Sequence, residues 1–212
     1  MIMGKNTLND YHDYVIKDGK FIGKFDQMYQ ECEDPWLQTK EAGTSYSRWD
    51  TIRTIRNHGL KNILECGCGL GYFTKVLTDE CPESRITGMD ISENAVKRAS
   101  EMFPKISFCT GNANELGKKI KLDDFDGIIF AEIMWYILDD AKKIIANLKE
   151  NYKGILIINQ VFYHNGQEYG KEAYTNEAEM AAYLGIKPIV QNKYQKGDST
   201  VAYETHNVFK FE

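Results

Sequence analysis

Glycines and an acidic residue in the first third of the chain have the spacing of a ligand-binding turn. Residues 65–71 read ECGCGLG and follow the apolar pair Ile63 and Leu64. Glycines let a backbone turn sharply and approach a ligand closely. Tyr72 stands where a dinucleotide fingerprint has its third glycine, and no Gly-Lys-Ser/Thr completes a P-loop. Because Glu65 repels a pyrophosphate, the pattern favours a ligand that carries an amine or a sulfonium.

Two further polar positions follow later predicted strands. Asp90 ends the second strand, where a carboxylate can accept hydrogen bonds from both hydroxyls of a ribose. Its alternative role is a helix N-terminal acid that helps Ser92 to cap. After the third strand, the side chain of Asn112 or Asn114 is short and polar enough to bond an adenine amino group, and turn chemistry explains both residues equally well.

Alternating strands and helices must position these residues. The hydrophobic pattern predicts strands over 62–66, 85–90, 105–110, 125–131 and 154–161, separated by helices. Residues 186–194 and 200–211 predict an antiparallel hairpin with a turn at 197–199. We therefore predict an α/β three-layer sandwich, with a seven-stranded, mostly parallel sheet that ends in this hairpin. Residues 1–43 are predicted to form an arm or cap over the active site, and residues 44–212 the main domain.

Composition narrows the class of protein. The chain has 212 residues, of which 42% are hydrophobic and 27% charged, and this balance is typical of a globular protein. A net charge of −5 without a run of lysine or arginine disfavours a nucleic-acid partner. Five cysteines without framework spacing favour a reducing cytoplasm over a disulfide scaffold, and they predict no metal site. A polar N-terminus and the lack of a long apolar run predict no leader and no membrane partner.

The successive motifs resemble those of class I S-adenosylmethionine (SAM)-dependent methyltransferases. The resemblance covers residues 62–161 and rests on ECGCGLG at 65–71, on Asp90, on GNA at 111–113 and on FDGIIFAEI at 125–133. It implies the Rossmann-like fold of that class, SAM as cofactor and S-adenosylhomocysteine as product. Asn112 is a departure, because the class usually has an aspartate there.

A narrower resemblance points to small-molecule enzymes. Residues 34–36 read DPW and residues 131–138 read AEIMWYIL, and both resemble the nodulation protein S-like methyltransferases and their bacterial relatives. That group includes N-methyltransferases of amino sugars. The resemblance implies that the acceptor is a small polar metabolite.

The resemblance also implies a set of cofactor-binding residues. Tyr72 and Phe73 would lie over the methionine part of the cofactor, and Arg48 would meet its carboxylate. Trp36 and Arg48 have structural alternatives, as a core plug of the arm and as an exposed helix residue. The predicted set is Trp36, Tyr46, Arg48, Glu65, Gly67, Gly69, Gly71, Tyr72, Phe73, Asp90, Ile91, Asn112, Ala113, Asn114, Glu132 and Ile133.

Three residues are predicted to act in catalysis. Methyl transfer is an in-line displacement in which the protein mainly supplies position and environment. Glu132 is expected to orient an ammonium or to act as a base, and Tyr136 to hydrogen-bond the substrate. His164 follows the fifth predicted strand and is either an alternative base or a surface-loop histidine. The neighbouring segment 163–174 is either a substrate lid or an ordinary long loop.

We therefore predict N- or O-methylation of a small polar metabolite, such as an amino sugar, a sugar or an amine. The enzyme is expected to be a cytoplasmic monomer or homodimer. Two other functions stay open at this point, an RNA or protein methyltransferase and a SAM-binding regulatory module without turnover. A metal-dependent catechol-type enzyme is disfavoured, because Asp139 and Asp140 fit the start of a helix better than a metal pair.

Overall fold

The computed structural model describes residues 13–41, 45–164, 169–195 and 202–212. Strands and helices alternate through most of these ranges. The strands are β1 (Ile16–Lys17), β2 (Lys20–Phe21), β3 (Asn62–Cys66), β4 (Arg85–Asp90), β5 (Ser107–Thr110), β6 (Gly127–Ala131), β7 (Gly154–Tyr163), β8 (Val190–Gln195) and β9 (Ala202–Phe211). The α-helices are α1 (Phe25–Glu31), α2 (Gln38–Glu41), α3 (Tyr46–His58), α4 (Tyr72–Glu80), α5 (Glu93–Met102), α6 (Leu138–Asn151) and α7 (Glu177–Leu184).

Seven of the strands form one mixed sheet in the order β5-β4-β3-β6-β7-β9-β8. β3 pairs in parallel with both β4 and β6, so the chain changes direction across the sheet at this strand. Ligands of open α/β sheets bind at such a switch point, beyond the carboxyl ends of the strands. β9 runs antiparallel to both β7 and β8. The predicted α/β sandwich with an antiparallel C-terminal hairpin is confirmed.

Apolar residues cover both faces of the sheet. On one face β3, β6 and β7 pack against α6 and α7, with Leu148 and Met180 fully buried. On the other face they pack against α3 and α4 through Ile52 and Leu77. Each such side chain contributes about 1.5–3 kcal/mol when it is removed from water. The core therefore fixes the strand ends from both sides.

The predicted boundaries differ from the observed ones mainly at the sheet edges. The strand predicted from residue 186 begins at Val190, because Pro188 has no N–H to donate to a ladder. β7 continues to Tyr163, two residues past the predicted end, where it still pairs with Ala202. The turn predicted at 197–199 lies outside the described residues.

The arm contains regular structure that hydrophobic periodicity did not predict. The hairpin β1–β2 is followed by α1 and α2, and all four lie within residues 13–41. Asp26 accepts hydrogen bonds from Ser92 Oγ (2.8 Å) and from Asn94 N (3.0 Å). Arg98 donates to the carbonyls of Tyr29 (2.9 Å) and Cys32 (3.0 Å). The arm therefore packs on α5, while the predicted domain division at residue 43 stays a prediction.

A buried polar chain joins α3 to the sheet. Asn159 Nδ2 donates to Thr51 Oγ1 (2.8 Å), and Asn159 Oδ1 lies 2.9 Å from His206 Nδ1. Because that oxygen can only accept, Nδ1 carries the proton, and Thr54 Oγ1 donates to His206 Nε2 at 2.9 Å. Burial lowers the pKa of His206 to about 4, so the imidazole is neutral near pH 7. These bonds fix the rotation of α3 against β7 and β9.

None of the described helices combines the length and apolar character that a bilayer crossing requires.

Candidate functional site

A cavity of about 510 Å³ opens at the carboxyl ends of the central strands, beside the arm. Loops after β3, β4, β5 and β6 contribute to its lining, together with β7, α3 and the arm. The predicted site residues that line it are Trp36, Arg48, Gly67, Asp90, Ile91, Asn112, Ala113, Asn114, Glu132, Ile133 and Tyr136.

The glycine turn is pressed between two neighbours. Gly67 has φ +77°, and a Cβ there would overlap the Ile133 side chain. Gly69 has φ +56°, and a Cβ there would overlap Tyr29 and Gln38 of the arm. Left-handed backbone and close contact both require glycine at these two positions. The turn thus brings bare backbone to the wall of the cavity.

Asp90 sits at the end of β4 with its carboxylate held by backbone. Gly69 N donates to Oδ2 (2.8 Å), and Ser92 N donates to Oδ1 (2.9 Å). The residue is buried, and this burial raises the pKa of the carboxyl. Each oxygen keeps acceptor capacity beyond its one backbone bond. The arrangement can therefore receive two hydroxyl donors from a ligand in the cavity.

Glu65 is the acid of the glycine motif, but it does not line the cavity. Its side chain is buried beneath α4, where Thr74 Oγ1 donates to Oε2 at 2.6 Å. Burial raises the pKa of this carboxyl to about 7. The Glu65 side chain therefore links β3 to the first turn of α4 and supports the glycine turn without lining the cavity.

Arg48 has hydrogen-bonding capacity that the described residues leave unused. Its Nη2 lies 3.4 Å from Glu132 Oε1, and its Cζ lies 5.0 Å from the centre of the Phe73 ring. Nε and Nη1 are buried and have no partner in the described parts of the chain. Leaving a buried polar group unpaired costs about 1–3 kcal/mol. A carboxylate is the ligand group that best matches this guanidinium, through Nη2 together with either Nε or Nη1.

Glu204 of β9 holds the start of the helix that carries Arg48. Its carboxylate accepts from Tyr46 N (3.0 Å), Ser47 N (3.2 Å) and Ser47 Oγ (2.6 Å), and also from Ser45 Oγ. An acid at a helix N-terminus pairs with free N–H groups and with the positive end of the dipole. No local pattern signals this contact, because Glu204 lies far along the chain from α3.

Glu132 has strained backbone at the end of β6. Its φ is +63°, which is uncommon for a residue with a side chain, and its N–H donates to Asn159 O at 2.8 Å. A residue held in this region costs about 1–3 kcal/mol, and such strain concentrates at functional sites. The strained backbone therefore agrees with a functional role for the carboxylate.

Three aromatic rings form a wall beside Glu132. Tyr136 packs edge-on to Phe25, with ring centres 5.5 Å apart, and lies 5.6 Å from Trp36. All three residues line the cavity. We call Phe25, Trp36 and Tyr136 the aromatic wall, and it forms only because the arm packs over the sheet.

Asn112 and Asn114 show the turn chemistry that is the alternative to adenine binding. Asn112 Oδ1 accepts from Asn114 N at 2.9 Å, within a capping box that Glu115 completes. Asn114 Nδ2 donates to Asp140 Oδ2 at 2.6 Å. Both asparagines also line the cavity, so their contact with adenine stays a prediction.

The family model for a methyltransferase domain matches residues 57–203, which is more than half of the chain. The chain belongs to this methyltransferase family. The predicted methyltransferase class is thereby confirmed, and SAM is the cofactor that this class implies.

Individual relatives show a similar picture. The chain is 28% identical to nodulation protein S of Sinorhizobium fredii, over 66% of this chain and 65% of that protein. It is 29% identical to a malonyl-[acyl-carrier protein] O-methyltransferase of Bacillus anthracis, over 64% of this chain and 54% of that protein. The match thus spans between about half and two thirds of these relatives. The crystal structure of N-methyltransferase NodS from Bradyrhizobium japonicum with S-adenosylhomocysteine has the same fold, with a TM-score of 0.62, 17% identity, and coverage of 87% of this chain and 98% of that chain.

The residues of the methyltransferase cavity fit SAM. The Arg48 guanidinium, with Nε and Nη1 open, suits the carboxylate of its methionine part. The remaining acceptor sites of Asp90 suit its ribose hydroxyls, and the Gly67 backbone also lines the cavity. Among the described residues, no group of three or more His, Cys, Asp or Glu side chains is arranged to hold a metal ion.

Several predicted residues lie away from the methyltransferase cavity. Tyr46 is exposed and stacks on Tyr194 at 5.6 Å. Tyr72 points toward Phe103, because the helix that it opens turns it away from the cavity. His164 is exposed and packs on Tyr203 at 5.0 Å, so the structure does not bring it to Glu132. The predicted residues that do not line the cavity are Tyr46, Glu65, Gly69, Gly71, Tyr72, Phe73 and His164.

Sequence reasoning missed two glutamines that line the cavity, Gln38 and Gln160. Gln38 Nε2 donates to Cys68 O (3.2 Å), and Leu70 N donates to Gln38 Oε1 (2.8 Å). This side chain ties the arm to the glycine turn, which no local pattern could reveal. Residues 165–168 of the predicted lid lie outside the described residues.

Proposed function

We propose that the chain transfers the methyl group of SAM to a nitrogen or oxygen of a small polar metabolite, such as an amino sugar, a sugar or an amine. One observation carries the proposal. A single cavity brings the ligand-binding groups of Asp90 and Arg48 together with Glu132 and the aromatic wall. We call the part around Gly67, Asp90 and Arg48 the cofactor end, and the part around Glu132, the aromatic wall and Gln160 the acceptor end.

SAM, when bound, supplies an activated methyl group on a sulfonium. The chain's own task at the cofactor end is to hold and orient. Asp90 accepts from the ribose hydroxyls, and Arg48 donates to the carboxylate. The faces of the aromatic wall can stabilise positive charge.

At the acceptor end, Glu132 can orient a donor group and receive its proton. An amine acceptor must be neutral when it attacks, and a hydroxyl must lose its proton as it reacts. In the structure Glu132 is paired with Arg48 at 3.4 Å. A carboxylate bound to Arg48 competes for that guanidinium, which leaves Glu132 available to the acceptor. Cofactor binding would then prepare the acceptor end.

The relatives supply two acceptor chemistries, one named an N-methyltransferase and one a malonyl-[acyl-carrier protein] O-methyltransferase. An acidic chain without a basic run supports a small-molecule acceptor over RNA. A monomer or homodimer in the cytoplasm stays part of the proposal.

Calorimetry followed by an acceptor panel tests the proposal. We expect the full chain to bind SAM and S-adenosylhomocysteine, to ignore NAD, and to release S-adenosylhomocysteine with glucosamine, glucose or a simple amine. Glu132→Gln should keep cofactor affinity and lose turnover. Cofactor binding with no turnover on any acceptor would indicate a regulatory module. Turnover on RNA, with a salt-sensitive electrophoretic shift, would indicate an RNA enzyme. Turnover on a protein would replace the metabolite as acceptor.

A further inference from the structure

We infer that Gln160 binds the methyl acceptor and receives a hydrogen bond from an N–H or O–H group next to the reacting atom. The inference rests on the proposed function and names the chemistry of the acceptor. Gln160 lies in β7, lines the cavity and is only 1% exposed. Its Oε1 is buried and has no hydrogen-bond partner in the part of the chain that the structure describes.

The neighbouring backbone fixes which atom of the amide stays open. Gln160 Nε2 donates to the carbonyl of Val161 at 3.2 Å, and Trp135 Nε1 donates to the same carbonyl at 3.3 Å. Turning the amide over would place Oε1 against that carbonyl, where two acceptors repel each other. The open atom is therefore the oxygen, which can only accept a hydrogen bond.

The strand pattern shows that an apolar residue would suit this position better in the absence of a ligand. Side chains alternate along a strand, so Ile158, Gln160 and Phe162 share one face of β7. The other two are fully buried in the apolar core. A buried amide oxygen without a donor destabilises the folded chain, whereas a leucine would not. The buried, unpaired amide oxygen of Gln160 therefore indicates a ligand that donates a hydrogen bond to it.

Charge at the cavity narrows the class of ligand further. Three carboxylates line it, from Asp90, Glu132 and Asp140. Arg48 is the sole cation among the described residues that line it, and Glu132 already pairs with it. A carboxylate on the acceptor would be repelled by these anions and by the Gln160 oxygen. The acceptor class is therefore an amine or a hydroxyl compound, and not a carboxylic acid.

Gln160→Leu tests the inference with two independent measurements. We expect its melting temperature to equal or exceed that of the wild type, because an unpaired polar atom has been removed. Its affinity for S-adenosylhomocysteine should stay within about twofold, and its turnover of glucosamine should fall by about tenfold or more. Malonate should be a poor acceptor for both forms.

Asn159→Leu is the matched control on the opposite face of the same strand. Asn159 is also fully buried, but both of its amide atoms are bonded, to Thr51 and to His206. We expect this variant to melt several degrees lower, because the buried side chains of Thr51 and His206 lose their hydrogen-bond partner.

The outcomes separate the inference from the proposed function. Wild-type chain that binds S-adenosylhomocysteine but methylates no acceptor overturns the proposed function. The melting temperature then decides on Gln160 alone, because a lower value in Gln160→Leu makes it a structural residue and an equal or higher value supports a ligand contact. If the wild type is active, unchanged glucosamine turnover in Gln160→Leu overturns the inference, as does efficient turnover of malonate.

Discussion

The cofactor end and the acceptor end of the cavity are held by different kinds of contact. At the cofactor end, Asp90 receives backbone N–H groups from Gly69 and Ser92, and all three lie within two successive strand-to-helix turns. At the acceptor end, the aromatic wall joins the arm to the segment after β6, and Gln160 comes from β7. The first arrangement is local in sequence, and the second depends on packing between distant segments.

The two ends also differ in how far their polar groups are satisfied. The Asp90 oxygens are already bonded and have capacity to spare. The Gln160 oxygen has no partner among the described residues. Arg48 is the exception at the cofactor end, because two of its nitrogens also have none. A preformed site binds one fixed ligand at little cost of reorganisation. Unpaired hydrogen-bonding groups favour ligands that supply the missing donor or acceptor. We therefore expect variants at Asp90 and at the glycine turn to act broadly on cofactor affinity or stability, and a distant contact that acts through Arg48 alone to affect only ligands with a carboxylate.

The largest expected effect concerns Glu65 behind the glycine turn. Its pKa is raised by burial to about 7, so between about pH 4.5 and pH 7 the unfolded chain ionises this group while the folded chain keeps the proton. Ionisation therefore opposes folding, and its contribution to wild-type stability falls as pH rises through this window. Glu65→Gln removes the effect. Its stability relative to wild type should grow across the window, by up to about 3 kcal/mol, in denaturant titrations.

The control for this prediction is Glu179→Gln on the exposed side of α7. Hydrogen bonds from Thr175 lower the pKa of Glu179, so the opposite sign is expected. That variant should lose stability relative to wild type as pH rises from the lowered folded pKa to the unfolded pKa, and the difference should stay constant above it. Parallel pH curves for wild type and Glu65→Gln would show that burial does not destabilise the Glu65 anion.

Asp90→Ala should have the next largest effect. Losing two charge-assisted hydrogen bonds to the ribose should weaken S-adenosylhomocysteine binding by about 1–3 kcal/mol. Calorimetry measures this directly. Asp126→Ala is the matched control, because Asp126 accepts from the backbone of Lys61 and Asn62 at the other end of β3. Equal losses of affinity in the two variants would place Asp90 outside the cofactor site.

Glu204→Ala tests whether a distant contact acts through Arg48. Loss of the contacts that hold the start of α3 should weaken the binding of S-adenosylhomocysteine by about 1 kcal/mol, or about fivefold. Binding of 5′-methylthioadenosine should not change, because it lacks the carboxylate that Arg48 receives. The effect should vanish in an Arg48→Ala background, and Glu204→Gln should restore part of the affinity.

Asn176→Ala provides the control for Glu204. Asn176 caps α7 by accepting from Glu179 N at 2.9 Å, and it does not line the cavity. Its loss should lower stability without a preference between the two ligands. Equal losses of affinity for both ligands in Glu204→Ala would show that Glu204 only caps the helix.

The smallest expected effect belongs to Gln38 of the arm. Gln38→Met keeps the length of the side chain but loses the bonds to Cys68 O and Leu70 N. We expect a loss of about 0.5–1 kcal/mol in affinity for both S-adenosylhomocysteine and 5′-methylthioadenosine, since the glycine turn serves both. Unchanged affinity for both would show that the arm covers the turn without supporting it.

Local patterns predicted most of the sheet and much of the cofactor end. β3 and β4 lie where they were predicted, because short apolar runs between turn residues report burial directly. The arm was predicted only as a cap, since its hairpin strands have two residues each and carry no usable periodicity. For His164, which the sequence allows as either an alternative base or a surface-loop histidine, the structure favours the surface loop. Its place after a strand suggested the cavity, but its ring turns outward onto Tyr203.

By itself the sequence determined the α/β order, the glycine turn and the acid at the end of β4. These depend on backbone geometry and burial within a few residues of one another. Tertiary structure alone decided that Glu204 holds the helix of Arg48, that the arm supplies the aromatic wall, and that Gln160 keeps an open acceptor. Such contacts join segments far apart in the chain, and a hydrogen bond made or left unmade between them has no trace in local spacing.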